Sequence, residues 1–255
     1  MSAASRAVPD HMTPTQVAPA DDLGQIRSHA EAPLPSHVSN LIQKPRLRGI
    51  LHVIAFPISI IASIVLVGLA PSGEQKIGAL VYALSTMLLF GNSALLHVGH
   101  WGKRMNTILC QIDYTNIFVI IAGTNTVFLL TLHTPIRWTY LAIVWSVAFL
   151  GSVCHVIWHD NHDWLFTVIY VVLGLSAVLL LPLLWNAPHH GHAITILLAV
   201  GGAAYIAGAC CFAIRRPNPF PGWFEYHEVF HAGTIVGYTC HAVAAFLAIT
   251  SIAAR

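Results

Sequence analysis

Residues 50–70 read ILHVIAFPISIIASIVLVGLA, a stretch that contains no Asp, Glu, Lys or Arg. A helix that crosses a membrane needs about 20 mainly apolar residues, so this stretch predicts a transmembrane helix. Six further runs of the same kind follow it, at residues 77–97, 109–132, 138–157, 165–185, 193–214 and 229–253. The sequence therefore predicts an all-α membrane protein built as a seven-transmembrane helix bundle.

The composition of the whole chain agrees with this class of protein. Hydrophobic residues make up 56% of the chain and charged residues only 9%, whereas soluble domains carry about 25% charged residues. The formal net charge of +2 provides no basic surface of the kind that binds nucleic acid. We therefore expect membrane lipid as the main partner and no nucleic acid.

The first part of the chain differs from the rest. Residues 1–44 are rich in Pro, Ala, Ser and Asp and contain no apolar segment typical of a signal peptide. We predict a disordered cytoplasmic tail at 1–44 and a seven-helix membrane domain at 45–255.

Basic residues in the short connections predict the orientation of the bundle. The cytoplasmic side of a membrane protein carries the excess of Lys and Arg. One side of this bundle would receive seven basic residues, namely Lys44, Arg46, Arg48, Lys103, Arg104, Arg215 and Arg216. The other side would receive three, namely Lys76, Arg137 and Arg255. The prediction is a multi-pass protein of the plasma membrane with its N-terminus inside the cell and its C-terminus outside.

Polar side chains at the ends of three runs are the candidate functional residues. Ser93 and His97 close the second run, Asp113 lies near the start of the third, and His227 and His231 open the seventh. Ionisable groups inside a membrane are costly and commonly functional. The predicted orientation places all five at the cytoplasmic ends of their helices, although only Lys and Arg determined that orientation.

The residue types in this group favour a zinc site. Three His ligands and one water form the usual catalytic zinc site, and His97, His227 and His231 would supply those ligands. Ser93 lies one turn before His97 and could reach the water. Asp113 could accept the water's proton or orient a His ring.

Other interpretations of these residues remain open from the sequence. A single His at a helix end commonly packs as a hydrogen-bonded side chain, Asp113 could pair with Arg104, and Ser93 could bond to a carbonyl one turn earlier. A second His-x-x-x-His pair, His155 and His159, is read as the polar edge of a loop. The sequence does not decide whether His52 and His241, inside the first and seventh runs, pack in the bundle or form a second polar pair.

The combination of motifs resembles a known family. KPRLRG-x-x-H at 44–52, LLFGNSALLHVGHW at 88–101, QIDYTNIFVIIAGT at 111–124, RRPNPFPG at 215–222 and HEVFH at 227–231 are similar to the bacterial hemolysin III family. That family is related to the progestin and adipoQ receptors and, more distantly, to the alkaline ceramidases. The resemblance implies seven helices and a zinc ion bound by His97, His227 and His231, with Ser93 and Asp113 as the motif's serine and aspartate. Leu96 and Tyr114 depart from the Tyr and His that are common at these positions in bacterial members.

Several functions are consistent with these features. The first hypothesis is a zinc-dependent hydrolase of lipid amide or ester bonds, and the second is a receptor or membrane-state sensor with structural zinc. A pore-forming cytolysin is the third, although the chain contains no amphipathic, basic insertion helix. The fourth is a protease in which Glu228 is the base of the HExxH motif. We favour Glu228 instead as a first-turn carboxylate of the last helix, since no second carboxylate motif supplies a third protease ligand.

Overall fold

The structure is a computed structural model, and it describes residues 45–71, 73–132, 134–158, 163–187 and 189–253. The predicted tail at 1–44 and His159 of the second His pair lie outside these residues. The helices are α1 (Ile50–Leu69), α2 (Glu74–Val98), α3 (Lys103–Leu129), α4 (Arg137–Ile157), α5 (Asp163–Leu175), α6 (Leu181–Trp185), α7 (Gly191–Ile214) and α8 (Tyr226–Ala253).

The seven predicted transmembrane spans are confirmed. Among the described residues, seven helical segments are long and apolar enough to cross a membrane, and the fifth of them, Trp164–Trp185, contains α6 and all but the first residue of α5. The third helix starts earlier than the apolar pattern indicated, at Lys103. Asp113 is therefore about 15 Å along the axis of α3, at 1.5 Å per residue, and not in its first turn.

The fifth span changes its hydrogen bonding in the middle. A 3-10 segment, Ser176–Leu180, joins α5 to α6, and the backbone N–H of Leu181 bonds to the carbonyl of Val178. Pro182 follows at once, and it has no N–H to donate to the carbonyl four residues earlier. The proline therefore accounts for the tighter turn in this span.

The helices pack in chain order, and the last one returns to the first. Contacts join α1 to α2, α2 to α3, α3 to α4, α4 to α5, α5 to α7 and α7 to α8, while α8 also packs on α1 and α3. The α7–α8 contact is close because Gly208 and Gly233 face each other across it. A Cβ on Gly233 would lie 2.9 Å from the Ala204 carbonyl oxygen. The packing brings the end of α2 and the start of α8 together.

The outer surface of the bundle is apolar and part of its interior is polar. On α1 the exposed side includes Ile54, Ile58 and Ile61, each more than half exposed. The opposite side of α1 buries His52, Ser59 and Ser63. An apolar exterior suits contact with lipid tails, and polar groups in such a bundle face its interior.

Candidate metal centre

Three histidines converge where α2 ends and α8 begins. His97 lies in the last turn of α2, and His227 and His231 lie four residues apart in the first turns of α8, on one face of that helix. Nε2 of His97 lies 3.2 Å from Nε2 of His227. One ring nitrogen from each of the three residues lies within 4.8 Å of those of the others. The structure therefore assembles the three residues that the sequence indicated as ligands.

One distance in this cluster matches the spacing of ligands around a tetrahedral metal ion. Zinc binds imidazole nitrogen at about 2.0–2.1 Å, which places two ligand nitrogens of a tetrahedron about 3.3 Å apart. The 3.2 Å separation of the His97 and His227 nitrogens agrees with this value. In addition, Nδ1 of His231 is buried and has no hydrogen-bond partner among the residues that the structure describes. The three residues could thus hold a metal ion.

Ser93 and Asp113, the two predicted catalytic residues, lie on α2 and α3, and the adjacent residue Asn92 connects them. Ser93 is one turn before His97 on α2 and is only 1% exposed. Asp113 on α3 accepts a hydrogen bond from Asn92 Nδ2 at 3.4 Å, and Ser93 is the next residue after Asn92 on α2. Asn92 also donates to the carbonyl of Leu109 at 3.0 Å, so that this amide fixes α2 against α3. A carboxyl group on α3 is therefore held against the segment of α2 that carries the Ser93 hydroxyl.

The start of α8 is fixed by Glu228, which is fully buried. One carboxylate oxygen of Glu228 pairs with Nε of Arg48 at 2.5 Å, and the other accepts the backbone N–H of Glu225 at 2.8 Å. The second contact is half of a capping box, in which a side chain at the third helical position returns to the cap residue. Both oxygens of Glu228 are thus engaged in structural contacts, as expected for a first-turn carboxylate and not for the base of a protease.

The segment 45–49 joins the start of α1 to the loop before α8. The backbone N–H groups of Arg46 and Leu47 donate to the carbonyls of Gly222 and Trp223, at 3.0 and 3.2 Å. The Arg46 guanidinium lies 4.4 Å above the Trp223 ring. Gly49 has a positive φ of 82° and packs directly on the ligand-bearing helix, where an added Cβ would lie 2.5 Å from Cβ of His97. This segment therefore covers the metal centre.

Comparison with known proteins places this chain in a family. A family model described as "Haemolysin-III related" matches residues 40–242. The chain belongs to the haemolysin-III-related family. It is 32% identical to Hemolysin-3 of Bacillus cereus over 209 residues, which cover 79% of this chain and 90% of that protein.

Two further relatives extend the comparison. The Hemolysin-3 homolog of Bacillus subtilis (strain 168) is 32% identical over 202 residues, with 77% of this chain and 90% of that protein covered. The Heptahelical transmembrane protein ADIPOR2 of Oryza sativa subsp. japonica is 27% identical over 190 residues, with 68% and 82% covered. These matches confirm the resemblance of this haemolysin-III-related chain to the hemolysin III and adipoQ receptor proteins.

The structure places His52, a residue that the sequence left unassigned, next to the metal centre. His52 lies in the first turn of α1 and is 2% exposed, with Nδ1 2.8 Å from Oγ of Ser93. His241, which the sequence treated in the same way, lies elsewhere in the bundle, where its Nε2 faces the carbonyl of Leu198 at 3.3 Å. A buried His in an apolar helix was the signal for both residues. Only the packing of the helices separates them.

The second His pair does not join the centre in the part of the chain that is described. His155 is buried between aromatic rings at the end of α4. It stacks on Tyr114 at 4.5 Å and contacts Phe166 edge-on at 4.6 Å. The His97, His227 and His231 group is the cluster of potential metal ligands found among the described residues. His155 is thus a packing residue of this haemolysin-III-related bundle.

Proposed function

We propose that this chain is a zinc-dependent hydrolase that acts on amide or ester bonds of membrane lipids. One observation carries the proposal. Three His nitrogens converge, and within the described ranges no fourth His, Cys, Asp or Glu belongs to their cluster. Structural zinc sites are usually closed by four protein ligands, whereas catalytic sites keep one position open. Ser93, one turn before His97, and Asp113, bonded to the adjacent Asn92, would be the catalytic groups.

The metal would supply Lewis acidity, which polarises a carbonyl group and makes a water acidic near neutral pH. The protein's own residues would then move protons and orient the reactants. The carboxylate of Asp113 would accept a proton from water as the water oxygen bonds to the carbonyl carbon. The same carboxyl group would return that proton to the leaving nitrogen or oxygen as the amide or ester bond breaks. The hydroxyl group of Ser93 would donate a hydrogen bond that holds the water or the carbonyl oxygen.

Access to the centre supports a lipid as the substrate. A cavity at the turn between α2 and α3 reaches His97, and its lining includes Gly99, His100, Trp101 and Asn106. Trp101 is 37% exposed, and Val98 beside it is 52% exposed. Trp side chains are typical of the interface between headgroups and acyl chains. A lipid in that leaflet could present its headgroup linkage at this opening while its chains remain in the membrane.

A receptor or membrane-state sensor with structural zinc is the second candidate. It is favoured by the firm connection of α1, α2 and α8 around the histidines, through Arg48, Glu228 and Gly49. In that case the metal would join α2 to α8 and no bond would be cleaved. A pore-forming cytolysin, the activity that the name Hemolysin-3 ascribes to the Bacillus cereus relative, has less support because the exposed helix faces suit permanent residence in a membrane.

The proposal is tested with purified, zinc-loaded protein incubated with ceramides and phospholipids, with released fatty acid measured by mass spectrometry. The matched variant is Asp113→Asn, which retains shape and removes the proton acceptor. We expect wild-type protein to release fatty acid, and we expect Asp113→Asn to keep its zinc while losing about a hundredfold in rate, the scale for a general base. Zinc-loaded wild-type protein that releases nothing from any of these lipids would favour the sensor.

A further inference from the structure

His52 has no role in the hydrolysis outlined above, yet it lies against two of the residues that do. It is an ionisable side chain, 2% exposed, on the most apolar of the seven spans. An ionisable group is costly to bury in a membrane span unless neighbouring residues form specific contacts with it. The contacts of His52 therefore indicate its role.

Both the edge and the face of the His52 ring make specific contacts. At the edge, Nδ1 lies 2.8 Å from Oγ of Ser93. At the face, the ring stacks on His231 with centroids 3.9 Å apart and planes only 12° from parallel. Phe90 closes the third side, edge-on at 5.1 Å and 82°. The His52 ring thus touches a ligand residue and the candidate hydroxyl at the same time.

The direction of the hydrogen bond between His52 and Ser93 depends on where the serine hydrogen points. A serine hydroxyl has a single hydrogen to donate, and Asp113, which bonds to the adjacent Asn92, is the nearby carboxyl acceptor. If Ser93 donates towards Asp113, its oxygen accepts from Nδ1–H of His52. That order would give a chain from His52 through Ser93 to Asp113, in which each bond polarises the next.

We propose that His52 is a positioning residue of the metal centre, acting through two separate contacts. Its Nδ1–H fixes the hydroxyl of Ser93 toward Asp113, and its ring face fixes the plane of the His231 ring. The inference about Ser93 rests on the proposed hydrolysis, whereas the inference about His231 rests only on metal binding. Partners that orient ligand histidines affect metal affinity by about 10–100-fold when removed.

Two variants separate the contacts. His52→Phe retains an aromatic ring against His231 and removes the hydrogen bond to Ser93. His52→Asn retains a polar atom near the position of Nδ1 and removes the ring. The control is His241→Phe, because His241 is equally a buried membrane histidine but lies elsewhere. Size-exclusion chromatography and circular dichroism establish that each variant is folded.

The metal readout uses zinc affinity, from chelator competition, and the visible spectrum of the cobalt-substituted protein. We expect His52→Phe and the control to match wild type, and we expect His52→Asn to bind zinc about tenfold more weakly with a shifted cobalt spectrum. Wild-type affinity and an unchanged spectrum in folded His52→Asn would overturn the role toward His231. This readout needs no hydrolysis, so it is informative even if the protein is a sensor.

The activity readout is a double-mutant cycle. We expect His52→Phe and Ser93→Ala each to lower the rate per bound zinc about tenfold, the scale of one hydrogen bond near a reacting group. The double variant should lose no more than either single variant, and His52→Asn should retain most of the rate. Independent, multiplying losses in the double variant would overturn the role toward Ser93.

Discussion

Arg48 and Glu228 form an ion pair at 2.5 Å although 180 residues separate them in the chain. Glu228 is fully buried, and the side chain of Arg48 is 17% exposed. Arg48 immediately precedes Gly49, which packs on His97, and Glu228 lies in the first turn of α8, the helix that carries two of the three candidate ligands. The ion pair therefore holds the start of α1 against the start of α8.

Replacing Glu228 separates structural and catalytic roles for this carboxylate. Glu228→Ala leaves the Arg48 guanidinium without its partner, and we expect a loss of about 3 kcal/mol in the free energy of unfolding, the scale for breaking a buried pair. Glu228→Gln keeps an acceptor for the Glu225 N–H and should lose less. Thermal unfolding in detergent measures both variants. The control is Glu74→Gln, because Glu74 pairs with Arg137 at 2.9 Å but is 38% exposed and should contribute under about 1 kcal/mol.

The same variants also test the protease hypothesis. We expect Glu228→Gln to retain its zinc and to hydrolyse lipid at nearly the wild-type rate per bound metal. A fully metallated, folded Glu228→Gln variant without activity would instead identify Glu228 as a catalytic base.

Gly49 should control the position of His97. Gly49→Ala places a methyl group 2.5 Å from Cβ of His97, so either α1 or α2 must move. We expect the affinity for zinc to fall about tenfold or more, since ligand geometry must be held closely. Chelator competition on the purified variant measures this affinity.

Gly73→Ala is the matched control for this substitution. Gly73 also has a positive φ, 86°, but nothing lies within 4 Å of its added Cβ. Backbone strain should destabilise both variants, Gly73→Ala by at least as much because its ψ of −140° lies in a region that essentially only Gly adopts, and only Gly49→Ala should lose zinc. Equal zinc affinity in the two variants would show that the contact with His97 does not affect the metal.

The sequence was sufficient to predict the spans and to single out three histidines that the structure brings together. Apolar runs of the required length identify the helices because lipid imposes one length on all of them. His97, His227 and His231 were predictable because each lies at the end of a run where a costly polar group stands out. Counting spans places these helix ends on one side of the bundle, and the packing of α2 against α8 then brings the three side chains together.

The covering segment and His52 could not be predicted in the same way. Arg48 reads in the sequence as one of several basic residues that set the orientation, and its pairing with Glu228 requires α8 to pack against α1. His52 and His241 have the same sequence signal, and only the three-dimensional packing places one against Ser93 and the other against Leu198. Contacts between residues far apart in the chain leave no local pattern in a single sequence.

The metal ligands are tested by stoichiometry. We expect about one zinc ion per chain in wild-type protein, measured by inductively coupled plasma mass spectrometry. Replacing His97, His227 or His231 with Ala should remove most of it, since three protein ligands leave no redundancy. His241→Gln and His155→Phe should keep the metal, because the structure places both histidines in packing contacts. Zinc that survives His231→Ala but is lost in His155→Phe would relocate the site.

The orientation of the bundle determines which leaflet the proposed hydrolase would face. Excess Lys and Arg at the end that carries His97 predicts that this end faces the cytoplasm. Single Cys residues can report it in a background from which the five native Cys have been removed. Gly102 and Gly222 lie at the end of the bundle that carries His97, and an added side chain meets nothing within 4 Å at either position. Ile136, at the opposite end, is 54% exposed.

We expect Ile136→Cys to react with a membrane-impermeant thiol reagent in intact cells, and Gly102→Cys and Gly222→Cys to react only after the cells are opened. Detection of the labelled chain by a mass shift on a gel is sufficient. The reverse pattern would place the His97 end outside the cell. The candidate metal centre would then lie on the outer side, and lipids of the outer leaflet would be the substrates to test, because the cavity that His97 lines lies at that end of the bundle.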